Sequence, residues 1–296
     1  MNQIQNKEEA AKGPANEAAF QFVQELAQGL SRREIELPSF PDVAIRVRKV
    51  LADDEVSSQA IVRVVGSEAA LAARIIQMAN SAALGNVGKP IADLRAAITR
   101  IGFNLVRSAS ISFAMSQMRR AADLKVLDTQ LQEHWQRSTL VAAFSHVVAR
   151  RFTRVNPDTA LLAGLLHGVG RLYIMTRAVK HPRLFSDAAT YHEIERDWHA
   201  SIATAMLETW NIPEDIVRAV AEHEDLTREH EGPPDLTDVL TVGALLGAFH
   251  AYPETLELNM QGVTAATRMQ LDRTKMEQLI QESESDIASL RQTLGM

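Results

Sequence analysis

Apolar residues recur at helical spacing along almost the whole of this 296-residue chain. Residues 17–30, for example, place Phe20, Val23, Leu26 and Leu30 along one side of a helix. No run of alternating apolar and polar residues persists, as a half-buried strand would need, and aromatic residues make up only 5% of the chain. The sequence therefore predicts an all-α protein of roughly a dozen helices, which is more than one four-helix bundle contains.

Proline, glycine and capping signals place the breaks between these helices. The prolines of 37–41 favour an extended stretch, and the glycines of 84–90 favour a turn. Asn156-Pro157 predicts a helix start, and 274–277 has the pattern of a capping box. The predicted helices cover about 42–52, 57–65, 69–80, 90–120, 128–152, 157–178, 187–209, 213–223 and 235–251, followed by a terminal helix.

These breaks divide the chain into four parts. Residues 1–16 are polar, charged and without a period, which predicts a flexible N-terminal tail. Residues 17–122 form a first group of helices, and residues 123–251 form a second group. Residues 252–296 form a C-terminal extension, and its terminal helix is expected to have one apolar face made of Met276, Ile280, Ile287, Leu290 and Leu294.

The composition restricts the class of protein. The chain has no cysteine, which excludes disulfides and cysteine-bound zinc and fits a reducing cytoplasm. It shows no apolar signal segment and no uncharged apolar run near the ~20 residues that a membrane-spanning helix needs. Its formal net charge of −6, with both signs interspersed, argues against nonspecific binding of nucleic acid. We therefore expect a cytoplasmic protein that binds neither membranes nor nucleic acid.

The nine histidines are the main candidates for chemistry, and His167 has the most unusual surroundings. It lies in Leu161-Leu-Ala-Gly-Leu-Leu-His-Gly-Val-Gly-Arg171. The glycines at 164, 168 and 170 each lower helix propensity by about 1 kcal/mol relative to alanine, so three of them together indicate close helix packing or a crowded site. The sequence contains no His-Glu-x-x-His motif, glycine-rich phosphate loop or serine nucleophile elbow.

Residues 37–118 resemble the N-terminal half of an HDOD domain, a member of the HD superfamily, and residues 134–225 resemble its second half. In the first part the resemblance rests on Leu37-Pro-Ser-Phe-Pro41, on Leu71–Gly85 with its Ala79-Asn80-Ser81 sequence, and on Pro90–Gly102. In the second part it rests on His134-Trp-Gln-Arg-Ser138, Gly164–Arg171, His199, Trp210–Pro213 and His223-Glu224, in this order. The resemblance covers about two-thirds of the chain, and it implies an HD-domain-like, all-helical fold of two packed sub-bundles.

The resemblance also implies where a metal site would lie. In catalytic HD proteins a histidine, a His-Asp pair and a further aspartate bind the metal that activates water for attack on phosphate esters. The matching positions of this chain are Arg137, His167-Gly168 and Val242–Leu245, with His199 and His223 as further matching histidines. Glycine has no side chain, and Val242–Leu245 contains no carboxylate. Arg171 fits the basic position one helical turn after His167.

Charge argues against a metal at these positions. Two divalent cations would bring four positive charges, whereas the matching positions offer neutral imidazoles, no aspartate and an added guanidinium. Without a metal, no water of lowered pKa is generated. His134 lies one turn before Arg137, and a helical rise of ~5 Å makes it a poor substitute ligand. We therefore expect a vestigial metal site with no metal, no cofactor and no catalysis.

Three functional hypotheses follow. The leading one is a non-catalytic bacterial signalling protein that acts by binding protein partners. Its candidate partner-binding surfaces are the segment with Asn80, Ser81 and Leu84 and, separately, the exposed face of the terminal helix at 276–294. One alternative is a metal-dependent phosphohydrolase or phosphodiesterase with atypical ligands, in which carboxylates come from Glu133, Glu193, Glu195, Glu222 or Glu224. The other is a sensor in which Arg137 and Arg171 bind a phosphate- or carboxylate-bearing ligand in the vestigial pocket.

Overall fold

Fourteen α-helices, and no strand, occupy the residues that the computed structural model describes, which are 2–32, 34–37, 40–51, 57–84 and 89–294. The helices of the N-terminal part are α1 (Asn2–Arg32), α2 (Asp42–Leu51), α3 (Ser58–Gly66), α4 (Ala69–Ala79) and α5 (Leu94–Met118). Those of the second part are α6 (Asp128–Phe152), α7 (Pro157–Leu166), α8 (Val169–Ala178), α9 (Ala188–Thr209), α10 (Glu214–Glu222) and α11 (Leu236–Phe249). The C-terminal extension contains α12 (Pro253–Met260), α13 (Thr264–Arg268) and α14 (Arg273–Thr293), and short 3₁₀ turns lie at Ala82–Leu84, Ala122–Leu127 and Pro182–Ser186. The predicted all-α fold is confirmed.

Side-chain caps determine where several helices begin. Asn156 caps α7 and is followed by Pro157, so the predicted start of this helix is confirmed. The prediction for α14 is wrong: its N-cap is Asp272 and not Thr274, and the Asp272 carboxylate accepts a hydrogen bond from Lys275 N at 2.8 Å. An ionised carboxylate at this position also interacts favourably with the positive end of the helix dipole, which a threonine hydroxyl does not.

The predicted helix 157–178 is two helices. α7 ends at Leu166 and α8 begins at Val169, because Gly168 has φ −96° and ψ 9° and interrupts the helical backbone. By length and composition alone the segment Pro157–Ala178 could cross a membrane, but 89% of its apolar window is buried inside the protein. The segment is therefore the core of the second sub-bundle, and the break places His167 at the C-terminal end of α7.

Two sub-bundles pack against each other, as predicted. Helices α2 to α5 contact one another; α7 and α11 pack against α6, and α7 to α11 contact one another. α5 contacts α7 across the junction, where Asn104 Nδ2 donates a hydrogen bond to Thr159 Oγ1 at 2.9 Å. α5 is kinked at Gly102, whose φ of 73° is the left-handed conformation that favours glycine. The continuous helix predicted for 90–120 did not include this kink.

The two terminal helices cover the sub-bundles. α1 packs against α9, and α14 packs against α6 and α4. α1 begins at Asn2, so the helical backbone includes residues 2–16 of the predicted tail. The side chains of residues 1–16 lie outside the described part of the structure, and the flexibility of this segment stays a prediction. The predicted apolar face of α14 is confirmed, with Ile280 half-buried and its other four residues buried. Residues 38–39 and 85–88, within the predicted extended stretch and turn, are also outside the described part.

Candidate functional site

His167 and His223 form the buried base of the candidate site. Each side chain is at the C-terminal end of its helix, α7 or α10, and their exposed fractions are 5% and 3%. His167 Nδ1 donates to Gly164 O at 2.7 Å, and His223 Nδ1 donates to Val220 O at 2.9 Å, because a carbonyl oxygen can only accept. The two rings meet edge to face with centroids 5.7 Å apart. In the neutral rings the Nε2 atoms therefore carry no proton.

Burial keeps these rings neutral. Burial and the adjacent His223 ring lower the pKa of His167 well below its usual value, and His134 and Arg137 contribute in the same direction. Burial lowers the pKa of His223 to about 4, although the Glu224 carboxylate acts against this shift. Neutral imidazole is the form that can ligate a metal, so protonation is not the obstacle to a metal at this site.

The carboxylate that the fold brings to these histidines is Glu224, and it is already paired. Arg171 Nη2 donates to Glu224 Oε1 at 2.7 Å, and His199 Nε2 lies 3.1 Å from Glu224 Oε2. His223 Nε2 is 3.7 Å from Oε1 of the same carboxylate. Burial acts to raise the pKa of Glu224, but the His199 hydrogen bond and the Arg171 charge outweigh it and hold that pKa well below its usual range. Glu224 is thus an ionised group whose charge Arg171 neutralises.

Gly168 leaves room for the side chain of His134. A Cβ atom built at position 168 would lie 2.6 Å from His134 Cε1 and 3.3 Å from its Nε2, distances at which something must move. The backbone at Gly168 does not have a positive φ, so the neighbouring ring, and not the conformation, favours glycine there. The His134 ring therefore occupies the place into which an aspartate at 168 would project.

Sequence reasoning missed His134 as part of this site. The sequence presents His134 only as a substitute for Arg137, because the approach of its ring to Gly168 depends on how α6 packs against the α7–α8 break. Burial, followed by the positive charges of Arg171 and Arg137, lowers the pKa of His134 to about 4. No motif in the sequence signals this contact, since His134 and Gly168 are distant along the chain.

The two arginines of the predicted anion site differ in their surroundings. Arg171 is committed to Glu224 and also lies 3.3 Å from His199 Nε2. Arg137 is exposed and makes no ion pair with any residue that the structure describes. Burial is the main cause of the low pKa values of His134 and His167, and the Arg137 charge lowers them further, so this guanidinium lies near both rings. Of the two, only Arg137 is available to an anion without a rearrangement.

The position of the last family aspartate holds no ligand, as the sequence predicts. It falls on α11, where Val242 is fully buried and Gly243 packs so closely against Ser145 that a Cβ atom would not fit. α11 reaches the pocket through Thr241, whose hydroxyl donates to His223 O at 2.9 Å. The helix thus supports the pocket without supplying a carboxylate to it.

A different cluster has the spacing of metal ligands. Within the described residues, the His230, Asp235 and Asp238 ligand atoms lie within 4.8 Å of one another, whereas the pocket histidines do not form such a group. Arg228 Nη2 is 2.8 Å from Asp235 Oδ2, and Arg268 Nε is 3.5 Å from Asp238 Oδ2. Two guanidinium groups already balance the two carboxylates, which also form the capping box of α11. We interpret this cluster as a structural ion-pair network.

The predicted partner-binding residues use their polar atoms within the chain. Asn80 Oδ1 accepts from Ile91 N at 2.8 Å, and Asn80 Nδ2 donates to Ile91 O at 2.8 Å and to Ile76 O at 3.0 Å. The hydroxyls of Ser81 and Thr293 are 3.2 Å apart, so α14 contacts this surface. The Leu84 side chain is half-buried against the core. A role of these residues in partner binding stays a prediction.

The helical sub-bundles and the histidine pocket together define a protein of the HD-superfamily fold. A family model, described as the HDOD domain, matches residues 37–226. The chain therefore belongs to the HDOD family.

Similar proteins agree with this fold. One solved structure, of a protein from Shewanella amazonensis SB2B provisionally named a metal-dependent phosphohydrolase, is 23% identical, with a TM-score of 0.69 over 94% of this chain and 99% of that one. An HDOD domain protein of unknown function from Geobacter sulfurreducens is 19% identical, with a TM-score of 0.58 over 94% and 97%. An uncharacterized protein of Treponema pallidum (strain Nichols) is 23% identical over 70% of this chain and 41% of its own length, so this chain spans about two-fifths of that relative. At these identities the likeness to solved structures shows the fold alone.

Proposed function

We propose that this HDOD protein is a non-catalytic regulator that works in the bacterial cytoplasm by binding protein partners in a signalling pathway. One observation carries the non-catalytic part: the His134 ring fills the space beside Gly168 where the ligating aspartate of a catalytic HD protein would project. Cysteine-free composition supports the cytoplasm, and the acidic charge supports a partner other than nucleic acid.

The charge balance of the pocket supports the same proposal. Among the described residues, the carboxylate that pairs with the histidines, Glu224, is neutralised by Arg171, and Arg137 adds a positive charge nearby. Two divalent cations placed there would add four positive charges to a site with no net negative charge. The present side chains therefore do not fit the dinuclear metal centre of catalytic HD proteins.

Metal content and hydrolysis test this proposal together. The full chain is expressed with added iron, manganese and zinc, purified, and assayed for metal per chain and for hydrolysis of phosphomonoesters, nucleotides and cyclic dinucleotides. We expect no stoichiometric metal and no hydrolysis that depends on His167. The matched variants are His167→Ala in the pocket and His192→Ala on the exposed surface of α9. Stoichiometric metal that is lost only in His167→Ala would refute the proposal.

A phosphohydrolase with atypical ligands remains the second candidate, because one specific observation favours it. His167 and His223 both fix their Nδ1 protons on backbone carbonyls and keep Nε2 unprotonated, which is how metal-binding histidines are commonly oriented. Glu224 is the carboxylate at hand, and it could ligate only after it left Arg171. Arg171→Gln removes that competitor, so under this candidate the variant gains metal affinity, whereas under our proposal it stays metal-free.

A sensor is the third candidate, and the guanidinium of Arg137, which has no ion-pair partner in the described part of the chain, favours it. Isothermal titration of the full chain with inorganic phosphate and with a cyclic dinucleotide tests this function. Under the sensor candidate, binding is saturable and is lost in Arg137→Gln but kept in the exposed-arginine control Arg154→Gln. Binding of this kind would replace our proposal for the pocket.

A further inference from the structure

A second surface feature lies at the junction of the two sub-bundles, on the side of α2 and α5. We call it the junction groove and define it by Phe40, Val47, Arg48, Ile111, Trp210 and Ile212. The rings of Phe40 and Trp210 have centroids 5.4 Å apart, and the Arg48 guanidinium carbon lies 5.5 Å from the Trp210 centroid. Residues of the first sub-bundle and residues that follow α9 thus build one apolar wall together.

Arg48 is the unusual member of this groove. Its side chain is half-buried, and it makes no hydrogen bond or ion pair with any residue in the described part of the chain. Burial lowers its pKa, and the Glu36 carboxylate acts on it only through its charge. A guanidinium has five N–H donors, and a partly desolvated one without an acceptor is unfavourable. By contrast, the neighbouring Arg107 donates a hydrogen bond to Leu51 O at 2.6 Å, which joins α5 to the end of α2.

The size of the groove suits side chains better than a large ligand. Its cavity volume is about 30 Å³, and a second crevice of about 150 Å³ shares Phe40, Arg48 and Trp210 and continues past Glu36, Leu37 and Ile45. Both volumes are well below those of drug-sized sites. Two small crevices that share a cation and two aromatic rings offer separate places for side chains, and a peptide segment fills such a groove with separate anchors.

We propose that the junction groove binds a short segment of a partner protein, which inserts an apolar side chain against Phe40 and Trp210 and places an adjacent carboxylate on Arg48. This proposal rests on the proposed function and names the chemistry of the partner: an acidic and hydrophobic peptide. The carboxylate supplies the acceptor that Arg48 lacks, in a charge-assisted pair that a planar guanidinium can make with both oxygens. Glu36 opposes it by like-charge repulsion.

Binding of defined peptides to the full chain tests the proposal. The probes are short synthetic peptides with a leucine or tryptophan anchor next to glutamate, and matched sets with glutamine or lysine in place of the glutamate. Fluorescence anisotropy of labelled peptides gives the Kd. We expect the glutamate set to bind at least about tenfold more tightly than the lysine set, since a charge-assisted hydrogen bond typically contributes that much.

Three charge variants test whether the charges of Arg48 and Glu36 determine the preference for glutamate. Arg48→Gln should remove the preference for glutamate over glutamine, and Glu36→Gln should tighten binding of the glutamate set by a few-fold. Arg63→Gln, an exposed arginine of α3 away from the groove, should bind as the unmodified protein does. Circular dichroism and thermal melting confirm that each variant is folded, and these conservative changes leave Trp210 and Phe40 in place.

Two results would overturn the inference. One is that no peptide of the set binds the folded protein; the other is that Arg48→Gln binds the glutamate set as tightly as before. Arg48-dependent binding of indole-3-propionate without peptide binding would assign the groove to a small aromatic acid instead. None of these measurements involves metal or hydrolysis. A metal-loaded protein with intact peptide binding would therefore refute only the proposed function, and a metal-free protein without peptide binding would refute only this inference.

Discussion

The contact between Gly168 and His134 predicts the effect of a single methyl group. In Gly168→Ala the new Cβ would lie 2.6 Å from His134 Cε1, whereas carbon atoms in contact are normally ~3.5–4 Å apart. The ring or the α7–α8 break must therefore shift by about 1 Å. Overpacking of this kind typically costs 1–3 kcal/mol, and the lower entropy of an unfolded chain with alanine returns about 0.4–1 kcal/mol. We expect Gly168→Ala to lower the free energy of unfolding by about 1–2 kcal/mol.

A double-mutant cycle isolates the contact from other effects of the substitution. In a His134→Ala background the methyl group has room, so Gly168→Ala should be neutral or slightly stabilising, with a coupling energy of about 1–3 kcal/mol. The matched control is Gly66→Ala, whose Cβ would meet only Leu94 Cδ2, at 3.5 Å. Urea unfolding followed by circular dichroism near pH 7.5, where His134 is neutral, measures all variants. Equal effects of Gly168→Ala in both backgrounds would refute the packing argument.

Three further predictions follow from the described contacts. Asn80→Ala should lower the free energy of unfolding by about 1–3 kcal/mol, because this side chain makes two hydrogen bonds to the Ile91 backbone; an unchanged urea midpoint would contradict it. Acidification from pH 6.5 toward about 4 should destabilise the fold, because burial lowers the pKa of His223 to about 4 and the unfolded chain therefore takes up the proton first. The neutral His223 contributes about 3 kcal/mol to the free energy of unfolding, and this contribution is fully present above pH 6.5. Urea titrations at several pH values measure it, and greater stability at pH 4.5 would contradict the prediction. Gly168→Asp alone should create no tight metal site, because Arg171 already neutralises the nearby carboxylate; zinc competition against a chromophoric chelator checks this, and tight uptake would show that the pocket can rearrange.

The helices could largely be predicted from the sequence because helical periodicity and caps are local signals. The bounds of α6 and the Asn156 start of α7 agree with the pattern. The kink at Gly102 and the break at Gly168 do not appear in that pattern, since a single glycine in a helix-compatible stretch breaks it only when tertiary contacts favour the break. α12 and α13 were missed because they are short and carry too few turns to show a period.

The sequence indicated three histidines of the candidate site, but neither the contact of His134 with Gly168 nor the pairing of Arg171 with Glu224. The order of His167, His199 and His223 along the chain pointed to one pocket, and the structure brings these three residues close to Glu224 or to one another. The Arg171–Glu224 ion pair depends on how α8 lies beside the end of α10, which no spacing along the chain specifies. The same holds for Arg48 in the junction groove, because its contact with the Trp210 ring and its lack of a hydrogen-bond or ion-pair partner among the described residues are properties of the packed structure.

Crystals of the full chain soaked in manganese chloride would test the non-catalytic account most directly, by anomalous scattering at the pocket. The account predicts that Arg171 stays paired with Glu224, that the His134 ring stays against Gly168, and that no manganese peak appears among the histidines. A manganese ion bound by the Nε2 atoms of His167 and His223, with Glu224 turned away from Arg171 to ligate it, would contradict the account and identify the protein as a metal-binding member of its family.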